Sequence, residues 1–327
     1  MKTNTTHKIL KAIESDGTIS PHQIGQAVGV GQVSVHRQLK KLLSQGLIEK
    51  VGSPPVVFYQ IKKITSPTKQ ISWSSQIRRV VEDNYLYLAP DGVMKSGVEG
   101  FVAWAVATKQ DINLDALVGE YIKTITQAST HLSKDGLINA TSKLAATFSK
   151  IWVDRVYYQS FYSLPKFGKT KLGVLVLHAK QSQSLKLMQQ VISQMEPVVM
   201  RLIKKHRIQA VGFIPHSIPR NKPLLKIINQ KLKLGIPQID LVKAYRGEVL
   251  VAQKSLAKLE ERVVNARESI FIKDDAKYQR VLLIDDAVGS GATLNETAHK
   301  LKKKGVKTVI GYAIVGSMKG FSVIKEI

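Results

Sequence analysis

Two adjacent carboxylates, Asp285 and Asp286, precede a run of small residues: Ala287, Val288, Gly289, Ser290, Gly291, Ala292 and Thr293. Each residue type in that run has a chemical use. The glycines let the backbone turn tightly and come close to an anion. Backbone N–H groups and the Ser290 and Thr293 hydroxyls can donate to phosphate oxygens, and a helix starting here adds its N-terminal dipole. The paired acids repel phosphate but suit vicinal sugar hydroxyls and the water shell of a bound Mg²⁺, which they would then hold indirectly. A sugar phosphate carries both demands in one ligand.

Such a constellation needs a rigid mount. Arg280–Ile284 is a continuous apolar run, as expected of a strand buried on both faces, and a helix is predicted from about 294 to 304. Ala210–Ile214 reads as an earlier strand, with Pro215, His216, Ser217 and Arg220 in the loop after it. Over residues 281–293 the sequence resembles the 5-phosphoribosyl 1-diphosphate (PRPP) motif of type I phosphoribosyltransferases. The resemblance implies an α/β domain with a parallel sheet and a ligand of PRPP or a nucleotide, with Mg²⁺ accompanying PRPP. It also implies a division of labour: Asp285 and Asp286 on ribose and hydrated metal, 287–293 on the phosphate, and 215–220 on the pyrophosphate. Gln253, Ser255, Arg262 and Asn265, followed by Ile270-Phe271, are similar to the flexible loop of the ComF-like branch of that superfamily. One position departs from the purine-salvage members. Where they often carry an Asp near the base, this chain has Gly289, so a loop carboxylate acting as general base is missing.

The first 65 residues follow another pattern. Ile9, Leu10 and Ile13 have helical spacing, and Asp16-Gly17 ends that helix. Ser20 and Pro21 supply an N-cap and a first helical residue for a second helix that stops at Gly29. A third helix runs from Gln32 to about Gln45, burying Val35, Leu39, Leu42 and Leu43. Ser34, Arg37, Gln38 and Lys41 share its opposite side and suit base edges and phosphates in a major groove. Two strands, 47–51 and 56–61, follow around Ser53-Pro54-Pro55. The order resembles the winged helix-turn-helix of bacterial regulators, which implies double-stranded DNA as a partner.

Between them, residues 66–160 show helical spacing at Val98–Ala107, Leu114–Ile125 and Leu137–Phe148, with dispersed aromatics. They read as a helical region that either connects and dimerises the chain or roofs the neighbouring pocket. Three domains are thus expected, over 1–65, 66–160 and 161–327. The net charge of +25 is unevenly spread: residues 161–327 carry thirty Lys and Arg against twelve acids. A surface this basic attracts polyanions. No cysteine is present, which excludes a disulfide scaffold, and no apolar run is long enough to span a bilayer, so a cytoplasmic protein without membrane contact is expected. Three functions fit: a homodimeric DNA-binding transcription regulator that senses PRPP or a nucleotide, an active phosphoribosyltransferase with an unassigned acceptor, and a ComF-like nucleic-acid handling factor.

Overall fold

The computed structural model describes residues 5–62, 72–244, 256, 258–273 and 277–318, and the chain divides into two compact units, Met1–Ser72 and Trp73–Ile327.

In the first unit, α1 (Thr5–Asp16), α2 (Pro21–Val28) and α3 (Gln32–Ser44) precede an antiparallel pair, β1 (Ile48–Ser53) and β2 (Val56–Ile61). Local chemistry sets the boundaries. The Ser20 hydroxyl accepts from the Gln23 amide at 3.3 Å while Gln23 Oε1 accepts from the Ser20 amide at 3.0 Å, a reciprocal cap ahead of Pro21. Gly29 ends α2 in the left-handed region (φ 70°), which costs glycine nothing. Ile9, Ile13, Ile19, Ile24, Val35, Leu39, Leu42, Ile48 and Tyr59 form the core. Ile19 exchanges two backbone hydrogen bonds with Tyr59, tying the α1–α2 turn to the wing.

The second unit begins with α4 (Ser75–Asn84), the hairpin β3 (Leu86–Leu88) and β4 (Met94–Ser96), α5 (Gly97–Ala107) and α6 (Leu114–Ser129). Their interior is aromatic: Phe101 packs on Trp73, Tyr85, Trp104, Tyr121 and Phe167, with ring centroids 5.1–6.4 Å apart. Then follow β5 (Ile138–Asn139), α7 (Thr141–Thr147), β6 (Arg155–Phe161), the short hairpin β7 (Ser163–Leu164) and β8 (Gly168–Lys169), α8 (Lys171–Ser182) and α9 (Leu185–His206). The chain continues through β9 (Ala210–Phe213), α10 (Leu224–Lys231), β10 (Gln238–Ile239), β11 (Leu241–Lys243), α11 (Leu259–Ser269), β12 (Ile270–Ile272), β13 (Arg280–Val288), α12 (Ala292–Lys303) and β14 (Thr308–Gly316).

Six of these strands make one sheet in the order β10-β9-β13-β14-β6-β5, parallel except for the β5–β6 pair. Residues 66–160 are therefore not helical throughout. The apolar spacing over Leu137–Phe148 yields only a two-turn helix, α7, because Leu137 and Ile138 are buried at the sheet edge instead. Arg155–Phe161 alternates little and reads weakly from sequence, yet it is a buried parallel strand whose side chains meet neighbours on both faces.

Strand β13 is at the centre, and Val281–Ile284 are wholly buried. Complete burial of each such side chain contributes roughly 1.5–3 kcal/mol. The strand runs four residues further than sequence alone suggests, so the acidic pair lies within it rather than beyond its end. It also outruns β9: the register ends at Ile284↔Phe213, and Asp285–Val288 continue against β14 alone. A crevice opens over the carboxyl end of β9, where α/β sheets commonly take ligands.

Candidate functional site

That crevice is a cavity of ≈ 500 Å³. Asp285 and Asp286 form one wall, residues 287–293 a second, and Pro215, His216, Ser217 and Arg220 a third, so the structure gathers the acidic pair, the small-residue loop and the 215–220 loop around one space. None of the described residues before Tyr162 lines it, so the helical region does not roof it.

The loop is built as its composition suggests. Helix α12 starts at Ala292, two residues earlier than expected, with Gly291 as N-cap at φ 83°. The Ser290 hydroxyl accepts from the Ala292 amide at 3.4 Å, and the Gly291 carbonyl accepts from the Asn295 amide at 2.9 Å. Gly291 is also a packing position: a Cβ there would lie 3.1–3.2 Å from three carbons of Leu144 on α7. Gly289 is different, since a Cβ added there meets only an Arg262 nitrogen at 4.0 Å. The region before β6 thus supports the loop from outside the cavity. Asn295 reinforces this, accepting from the Trp152 amide at 2.7 Å and donating to the Lys150 carbonyl at 3.0 Å, while the Trp152 and His299 rings stack at 4.1 Å. Lys143, also on α7, donates to the Ser317 carbonyl at 2.8 Å at the mouth of the site, and burial draws its ammonium down to about 8.

Asp286 is 8% exposed, and its amide donates to Asp285 Oδ1 at 2.8 Å. Burial, and next the neighbouring Asp286 carboxylate, push the Asp285 carboxyl upward, while Lys180 pulls it down. Lys180, from the last turn of α8, forms an ion pair with Asp286 Oδ2. On the opposite side Lys243 of β11 donates to the Ser217 hydroxyl at 2.9 Å. Burial, and then the cations Lys226, Arg220, Lys243 and Lys180, hold His216 below its ordinary value. Lys180 and Lys243 are functional candidates that the sequence does not single out. Each lies far from the motif along the chain, and one lysine among many carries no local signal.

The ComF-like residues divide. Gln253 and Ser255 lie outside the described residues. Arg262 and Asn265 are on helix α11 rather than in a loop, because Glu260 and Glu261 favour its first turn and the Glu261 carboxylate accepts from the Lys258 amide at 3.4 Å. Arg262 lines the cavity and donates through Nε to the Leu256 carbonyl at 2.8 Å, whereas Asn265 does not reach the lining.

The expected Mg²⁺ can be set against the donors present. Among the described residues no three His, Asp or Glu side chains converge as a metal-ligand set. The indirect contact expected of the acidic pair has a competitor, since the Lys180 ammonium already occupies Asp286, one of the two carboxylates that would face the ion's water shell.

In the first unit, Arg37 and Lys41 are exposed on α3, as are His36 and Lys40. Ser34 and Gln38 are half-buried, and Gln38 Oε1 accepts from the Thr6 hydroxyl on α1 at 3.0 Å. The exposed face is thus turned toward 36, 37, 40 and 41 relative to the stripe read from sequence. Arg37→Ala is therefore expected to cost about 1–3 kcal/mol of binding to a preferred duplex, and Gln38→Ala less, because Gln38 already has a partner. Fluorescence anisotropy with a selected duplex measures both, and equal losses would restore the original stripe.

Comparisons with known proteins agree with both units. Residues 2–49 match the family model described as winged helix-turn-helix DNA-binding, and residues 217–324 match the phosphoribosyl transferase domain. The chain therefore carries an N-terminal winged helix-turn-helix domain and a C-terminal phosphoribosyltransferase domain. Two solved structures align with it: a hypoxanthine phosphoribosyltransferase from Staphylococcus aureus and a purine phosphoribosyltransferase from Pyrococcus horikoshii Ot3. The first shows 12% identity and a TM-score of 0.24 over 39% of this chain and 62% of the other, less than two thirds of that relative's length. The second shows 16% identity and a TM-score of 0.24 over 44% of this chain and 96% of the other. No curated protein matches. Among the described residues no helix is long and apolar enough to cross a membrane.

Proposed function

We propose that this protein is a cytoplasmic, DNA-binding transcription regulator whose C-terminal domain binds PRPP or a nucleotide as effector. The observation that carries the reading is the chemistry of the cavity: sugar-matching carboxylates on one wall, a phosphate-sized loop at a helix N-terminus on the next, and basic side chains opposite. Among its described lining residues the only acids are Asp285 and Asp286, and position 289 offers no carboxylate to a base. Such a site suits holding a ribose 5-phosphate more than activating an acceptor. The N-terminal domain supplies the output, through Arg37, Lys40 and Lys41 on an exposed helix face. As a homodimer, the protein would place two such helices on half-sites about one helical turn apart.

One titration separates this from catalysis. A duplex selected from random sequences is titrated with the protein, with and without PRPP, while pyrophosphate is monitored. The expected result is a two-half-site footprint, a duplex affinity that PRPP changes by about fivefold or more, and no pyrophosphate release. Pyrophosphate appearing once a nucleobase is supplied, with duplex affinity unmoved by PRPP, would establish an enzyme instead.

A further inference from the structure

Lys180 has no part in the motif, yet its position is tightly determined. Helix α8 is capped by the Thr170 hydroxyl, which accepts from the Gly173 amide at 3.0 Å. Gly173 lets the helix press on the bend between β6 and β7: a Cβ there would lie 2.1 Å from the Tyr162 carbonyl oxygen. Leu172, Leu175, Val176 and Ala179 are buried and fix the rotation of the helix. Lys180 lies seven residues after Gly173, about two helical turns, and so on the same face. Its side chain reaches the cavity wall and pairs with Asp286, the two side chains being 23% and 11% exposed.

The charges around the cavity follow from this. Two carboxylates face Lys180, Lys243, Arg220 and Arg262, so the lining is net positive without any ion added. A carboxylate pair matched by nothing would repel a phosphate ester, and a hydrated divalent cation is one means of relieving that. Here an ammonium ion already stands on Asp286, where the water shell of such a cation would otherwise sit.

We propose that Lys180 takes the place of the divalent cation, so that this site binds ribose 5-phosphate esters, PRPP included, without a metal. The inference rests on the ligand reading above. It differs from what the family resemblance implies, which is PRPP accompanied by Mg²⁺.

The test is calorimetric titration of the intact protein with PRPP and, separately, with AMP, each in EDTA and in millimolar Mg²⁺. For the unmutated protein the dissociation constants in the two buffers are expected to agree within about threefold. Lys180→Met should weaken binding in EDTA by about tenfold or more, and Mg²⁺ should recover most of that loss. Lys180→Arg keeps a cation on Asp286 and should remain indifferent to metal. Should the methionine variant fail to fold, the unmutated protein and the arginine variant still decide the matter. Binding by the unmutated protein only in Mg²⁺ would overturn the role of Lys180 and leave the ligand reading intact. An unchanged Lys180→Met affinity in EDTA would overturn it equally. No binding of either ligand in either buffer would overturn the ligand reading, and the role of Lys180 with it.

Discussion

Asparagine at both 285 and 286 is expected to abolish ligand-induced stabilisation while leaving the unliganded protein folded. In the unmutated protein a ligand at a hundred times its dissociation constant raises stability by about 2.7 kcal/mol, which a thermal melt resolves easily. The double substitution keeps the side-chain shapes but removes the charges that select vicinal hydroxyls and hold the Lys180 ammonium in place. The apo protein should not suffer greatly, and the sign is clear. Burial and Asp286 raise the Asp285 carboxyl to about 7, so the fold favours the protonated form and loses stability as pH rises from the ordinary carboxylate value through about 7. Asparagine at 285 removes that loss, which offsets the stranding of Lys180. A melt in which PRPP stabilises the double variant as much as the unmutated protein would remove the acidic pair from the site.

The second large effect belongs to Gly291. Valine there is the obvious way to keep a phosphate off the backbone, but the structure predicts damage of another kind. A side chain at φ 83° costs roughly 1–2 kcal/mol for an L-residue, and a β-branched one more. Its Cβ would also crowd Leu144 at 3.1–3.2 Å, and overpacking adds about 1–3 kcal/mol. Gly291→Val should therefore lower the melting temperature even without ligand. Leu144→Ala in the same chain should recover the packing part of that loss, though not the backbone part. Failure of the second substitution to help would mean that α7 does not support the loop. Gly289→Ala, with open space around it, is the better probe of ligand approach.

How much of this was legible beforehand follows from how locally it is encoded. The acidic pair and the loop can be read because all their residues fall within thirteen consecutive positions. The winged helix is legible for the same reason: Ser20, Pro21 and Gly29 punctuate α2, and apolar spacing does the rest. Lys180 was not legible, since its partner is 106 positions away and only the rotation of α8 brings them together. The partner of Gln38 is not legible within α3, because α1 supplies it through the Thr6 hydroxyl. Strands β5 and β6 are not legible in the sequence, because buried aromatic and aliphatic residues fit a helix face and a doubly covered strand equally well. The resemblance implies a loop at Arg262 and Asn265, whereas the acids of the first turn favour a helix there.

The pairing of β6 with β14 has a practical meaning for anyone dividing the chain. A fragment starting at residue 161, where composition suggests a boundary, would leave β14 paired with β13 but without β6 on its other side. That nine-residue strand, buried along nearly its whole length, would show a bare row of amides and carbonyls flanked by Val309, Ile310, Tyr312, Ile314 and Val315. Long, flat, apolar edges of this kind recruit further copies of themselves, and soluble proteins avoid them. Starting at Trp73 instead keeps β5 and β6 as the outer strands, and the short β5 then screens part of an edge that would otherwise template aggregation.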